Sequence, residues 1–98
     1  WYWQTWNEPN LPQYYWGGTQ EEFFKLHDHS IRAVRRALPE ARVGGPVIAG
    51  AGDKYMTAFI QLVKKNKTPT DFLSFHAKGS PTTIKLDAGR SHVRMGLD

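Results

Sequence analysis

Cysteine is absent from this 98-residue chain. Disulfides, thiolate metal sites and a cysteine nucleophile are thereby excluded, while the redox compartment stays open. No uncharged apolar run is long enough to span a bilayer, and no charged n-region with an apolar h-region opens the chain. The motifs GxSxG, HExxH, the Walker loop and the Gly-rich dinucleotide fingerprint are also missing, because the glycines at 44, 45 and 50 lack that last spacing. No cofactor or metal site is read from the residues. Negative charge is in short supply, with nine acidic residues against thirteen Lys and Arg, for a net charge of +4.

That positive balance invites a nucleic-acid partner, but the basic residues are dispersed. Arg32, Arg35 and Arg36 fall on one segment and Lys64, Lys65 and Lys67 on another. Cations near a helix end are favoured by the macrodipole whatever the protein does, so these clusters read as solvated helix faces. Hydrophobic residues make up 40% and charged residues 22%, ordinary values for a globular protein, and disorder is not expected. A chain of this length forms one domain at most.

What the sequence does have is aromatic mass at one end. All four tryptophans and three of the four tyrosines fall within the first sixteen positions. In their midst lies Trp6-Asn7-Glu8-Pro9-Asn10, a carboxylate flanked by amides and fixed by a proline. Aromatic walls exclude water, and desolvation raises a carboxyl pKa, as a general acid near neutrality requires. Two readings of Glu8 are open: a proton donor with a raised pKa, or a loop carboxylate held in a salt bridge to an arginine.

In chain order, 1–6 reads as a strand of aromatic and β-branched residues. It starts on Trp1-Tyr2-Trp3 without a lead-in, so the chain is expected to be the inside of a longer protein. Pro9 and Pro12 forbid a continuing ladder, which leaves Asn7 and Glu8 at the strand's carboxyl end. The segment 14–18 is a loop, either a plug over a hydrophobic seam or a wall for a flat sugar ring, with Trp16 within it. Thr19 to Glu22 carries a capping box, and Phe24, His27, Ile31, Val34 and Leu38 form the stripe of a helix that Pro39 ends. His27 and His29 fall two apart, on different faces, and read as structural. A second strand over 41–46, continuing weakly to 49, precedes the loop of Gly50, Gly52 and Asp53. A second amphipathic helix over 54–65 and a third strand over 72–76 follow, with 77–90 expected as a long polar loop and 91–98 as the start of a helix.

Strands alternating with helices indicate parallel βαβ units. Ligands in such architectures bind at the carboxyl ends of the strands, where Glu8, the Gly50–Asp53 loop and His76 converge. Asp71 falls at the opposite edge and is expected to cap or bridge. His76 is open to two readings, a hydrogen-bonded strand-end histidine or a substrate contact.

Trp6-Asn7-Glu8-Pro9-Asn10-Leu11 with Tyr15-Trp16, the helix bearing Phe23-Phe24, Val43-Gly44-Gly45-Pro46 and Asp71-Phe72-Leu73-Ser74-Phe75-His76-Ala77 together resemble glycoside hydrolase family 39. That family comprises the β-xylosidases and their relatives among the retaining (β/α)8-barrel glycosidases. The resemblance covers about residues 3–79. It implies that 1–98 is part of a catalytic (β/α)8 (TIM) barrel, strands four to six with helices four and five, truncated at both ends. It further implies Glu8 as general acid/base, Asn7 as ligand of the sugar's 2-hydroxyl, and His76 lining the sugar pocket; Trp16, from the aromatic loop, is the further residue expected against the sugar. The partner would be a β-xyloside or related oligosaccharide. Lys78-Gly79 stands where many members carry a tyrosine, a departure that bears on substrate preference. The family's nucleophile is a glutamate on the seventh strand, which lies outside this sequence. A non-catalytic carbohydrate-binding relative is the alternative.

Overall fold

A computed structural model describes residues 1–50 and 54–97, and the Gly52 and Asp53 of the expected loop, like Asp98, lie outside the described residues. Three parallel strands, β1 (Tyr2–Gln4), β2 (Arg42–Ala49) and β3 (Phe72–His76), form a sheet in that order. Helix α1 (Gln20–Ala37) connects the first two and α2 (Lys54–Asn66) the last two, the predicted βαβαβ order. Two further strands, β4 (Gly79–Asp87) and β5 (Arg90–Leu97), form an antiparallel hairpin.

Helix α1 begins where its cap dictates. The Thr19 hydroxyl accepts from the Glu22 backbone N–H, and the Glu22 carboxylate accepts from the Thr19 N–H. Each end of the box thus satisfies a donor that the first turn would orphan. The helix buries Phe24, His27 and Ile31 of the stripe foreseen from spacing, with Phe23 beside them, while Val34 is half-buried and Leu38 at the cap is exposed. Phe23 and Phe24 pack with Ile48 of β2 and with Met56, Phe59 and Val63 of α2, while Ile31 packs with Ala41 and Val43. Each large side chain so buried contributes about 1.5–3 kcal/mol. His27 sits in this core, its ring edge-on to Phe59 at 4.8 Å and its Nδ1 2.7 Å from the Thr5 hydroxyl.

Asp71 does bridge at the far edge. Its Oδ2 accepts from Arg35 at 2.7 Å and from the Val43 backbone N–H at 2.8 Å, tying α1, β2 and the entry to β3 together.

Three expectations are corrected. Strand β1 is three residues, not six, because Trp6 and Glu8 take left-handed backbone angles (φ +65° and +46°) that cannot continue a ladder. Strand β2 continues at full strength to Ala49, through a bulge between Pro46 and Ile48 where Val47 has φ +59°. The segment expected as a polar loop and a nascent helix is the β4–β5 hairpin, with Thr83 opposite Val93 and Ile84 opposite His92. The β-branched run Thr82-Thr83-Ile84 and Val93 opposite it support strands, and Gly89 at φ +82° supplies the turn. Among the described elements, the hairpin strands pack on each other and on no other strand or helix.

Candidate active site

The bulge in β2 builds the site. An extra residue in a strand re-aims the groups around it, and a β-branched residue at positive φ persists only when its surroundings hold it. Val47 is held on both sides: its N–H donates to the Ser74 hydroxyl of β3, and its carbonyl accepts the Glu8 N–H at 2.8 Å. The loop after β1 is latched a second time by Asn10. Its side-chain amide donates to the Ala49 carbonyl at 3.0 Å and accepts the Ala49 N–H at 2.9 Å, as a paired strand would. Between these two anchors the Glu8 side chain has almost no freedom to leave the sheet edge.

That side chain is 4% exposed and points beside a cavity of about 200 Å³ lined by Glu8, Leu11, Ala49, Gly50, His76, Ala77 and Lys78. The Nδ1–H of His76 donates to Glu8 Oε1 at 2.7 Å, and the Lys78 ammonium stands 3.7 Å from the same oxygen. The loop after β1 and the end of β3 thus bring Glu8 and His76 together at one edge of the sheet. Glu8 pairs with a histidine and a lysine, not with the arginine considered as its alternative partner.

The electrostatics differ from expectation. The His76 hydrogen bond holds the Glu8 carboxyl below the usual carboxylate range, and the Lys78 charge adds to this. Burial pushes the other way and loses, because Glu8 lies against an open cavity and not deep in the core. Nor do aromatic rings wall it in: the described lining is aliphatic, polar and basic. The aromatics pack on one another instead. Trp16 donates its indole N–H to the Thr19 carbonyl and lies edge-on to Trp6 and Phe23, outside the cavity lining. Trp6 donates to the Tyr15 carbonyl and is half exposed. Asn7 is exposed and is likewise not among the lining residues.

Asn10, Val47 and Ser74 escaped the sequence reading as positioning groups. Asn10 stands inside the recognised motif, but its partner is 39 residues away, and no local pattern announces such a bond. Among the described residues, no group of three or more His, Cys, Asp or Glu could hold a metal ion.

The family model described as glycosyl hydrolases family 39 matches residues 1–94. A β-xylosidase from Geobacillus stearothermophilus is 39% identical over 85 residues, which is 87% of this chain and 17% of that protein. A β-xylosidase from Caldicellulosiruptor saccharolyticus is 42% identical over 76 residues, 78% of this chain and 15% of its own length. The crystal structure of a GH39 enzyme from Xanthomonas axonopodis pv. citri superposes with a TM-score of 0.71 at 30% identity, over 98% of this chain and 19% of that one. The chain therefore spans under a fifth of the length of the relatives it matches.

Proposed function

This chain belongs to glycosyl hydrolases family 39, and from that premise we propose that it is the acid/base portion of a retaining glycosidase acting on β-xylose-type saccharides. One observation carries the reading: a buried carboxylate in the loop after β1, Glu8, is hydrogen-bonded to His76 beside a cavity at the carboxyl edge of a parallel sheet. The three strands would be the fourth to sixth of a (β/α)8 barrel, and 1–98 a part of its catalytic domain. Asn7 would hold the sugar's 2-hydroxyl and His76 the sugar pocket. Trp16 would act through Trp6, whose ring it props.

Retaining hydrolysis uses two carboxyl groups about 5–5.5 Å apart, one acid/base and one nucleophile. The nucleophile would come from a later strand outside these residues. Its negative charge would counter His76 and Lys78 and raise the proton affinity of Glu8, since like charges cannot both ionise cheaply at that distance. Glu8 would then donate its proton to the leaving oxygen. Once the nucleophile is consumed in the glycosyl-enzyme, that opposing charge is gone. His76 and Lys78 then favour the carboxylate, which is the form that deprotonates the attacking water.

The test is Glu8→Gln in the intact enzyme. Hydrolysis of β-xylosides with poor leaving groups should collapse, and azide should restore turnover on activated substrates. Unchanged hydrolysis would remove Glu8 from the reaction.

A further inference from the structure

A histidine and a lysine converge on one oxygen of Glu8, and they differ in their contact with water. His76 is 39% exposed and bonded at 2.7 Å, while Lys78 is 77% exposed and stands at 3.7 Å. Both contacts are to Oε1, and among the described residues no hydrogen bond is recorded to Oε2. Among the described residues, His76 and Lys78 are the only titratable groups besides Glu8 that line the cavity. The nearer partner fixes the rotamer of the carboxylate. The farther one, at the end of a flexible stem, adds charge with little geometric constraint.

We propose that Lys78 is a positioning residue for the Glu8 proton: with His76 it reserves Oε1 as the ion-paired oxygen, leaves Oε2 to carry the transferred proton, and makes Glu8's protonation sensitive to ionic strength. Lys78 touches neither a reacting atom nor the sugar in this role. It acts through Glu8, and its catalytic consequence rests on the acid/base reading above.

The physical basis is the unequal screening of the two contacts. An ammonium in bulk solvent contact loses its influence as the Debye length falls from about 10 Å at 0.1 M salt to about 3 Å at 1 M. A direct hydrogen bond to a nearly buried carboxylate is screened much less. The Glu8 proton affinity should therefore have a salt-independent part set by His76 and a salt-dependent part set by Lys78. Lys78 lies between β3 and the hairpin, with Ala77 before it and Gly79, the first residue of β4, after it.

The experiment is a pH titration of the Glu8 carboxyl carbon by NMR in the intact protein labelled with [13C]glutamate, with Glu8→Gln assigning the signal by its loss. In the wild type the midpoint should rise from low to high salt. In Lys78→Met the low-salt midpoint should already be raised, and added salt should move it little. Lys78→Arg should restore both the low midpoint and its salt response. Because Lys78 is largely exposed, these variants are expected to fold normally. An unchanged midpoint in Lys78→Met, or an equal salt response in that variant and the wild type, would overturn the proposal. The readout does not depend on turnover. If the titration behaves as described while Glu8→Gln still hydrolyses glycosides, the assignment of Glu8 as acid/base fails and the ion-pair role of Lys78 stands.

Discussion

Asn10 and Ala49 exchange two hydrogen bonds across 39 residues of chain, at 3.0 and 2.9 Å, so the loop carrying Glu8 is pinned to the end of β2 by a side chain imitating a strand. Asn10→Asp keeps an acceptor for the Ala49 N–H but turns a carboxylate toward the Ala49 carbonyl, and it loses the donor. Leaving such groups unpaired costs about 1–3 kcal/mol. Small displacements of a catalytic group can cost up to about 100-fold in rate, so kcat should fall more than KM rises. Steady-state kinetics with thermal melting checks this. A lowered melting point with unaltered kcat would limit Asn10 to a stabilising role.

His27 makes stability depend on pH. Burial pushes its pKa down to about 4 from 6.5, and the Asp28 charge offsets this only in part. The folded-state value lies below the unfolded one, so the unfolded chain binds the extra proton between the two. The contribution is intact above pH 6.5 and is lost as pH falls toward about 4, amounting to at most about 3 kcal/mol. The depressed carboxyls of Glu8 and Asp28 act lower, below about pH 4.5, which leaves the upper part of the window to His27. Denaturant unfolding at pH 7 and pH 5 should show the loss in the wild type, and His27→Leu should flatten it. Equal slopes in the two proteins would contradict the assignment.

Asp71 allows its two bonds to be told apart. The Arg35 pair is about one-third exposed at both ends and is worth little by itself, about 0–1 kcal/mol. The Val43 N–H is the more demanding partner, because Val43 is fully buried in the core. Asp71→Asn retains an acceptor for that N–H and should cost under about 1 kcal/mol. Asp71→Ala strands the donor and should cost about 1–3 kcal/mol. Equal losses in the two variants, measured by urea midpoints, would place the energy in the ion pair.

Much of the architecture was legible because it is written in local periodicity. The Thr19–Glu22 box, the 3–4 spacing from Phe24 to Ile31 and the proline at 39 announce α1 without reference to anything distant. The hairpin was legible in principle as well. Thr82-Thr83-Ile84 and Val93 are strand formers around a turn at Gly89, but their polar neighbours weaken the alternation that identifies a strand. The bulge at Val47 had no signal, because a valine gives no warning of positive φ.

By itself the sequence determined that a carboxylate follows the first strand, that a histidine ends the third, and that βαβ connectivity brings both to one edge. Those are consequences of residue order and chain geometry. It did not determine the charge state of Glu8. Aromatic neighbours in the chain implied a raised pKa, whereas the fold turns those rings against one another. It sets a histidine 68 residues downstream on the carboxylate instead. Proton affinity depends on which groups lie within a few ångströms, and only tertiary structure decides that.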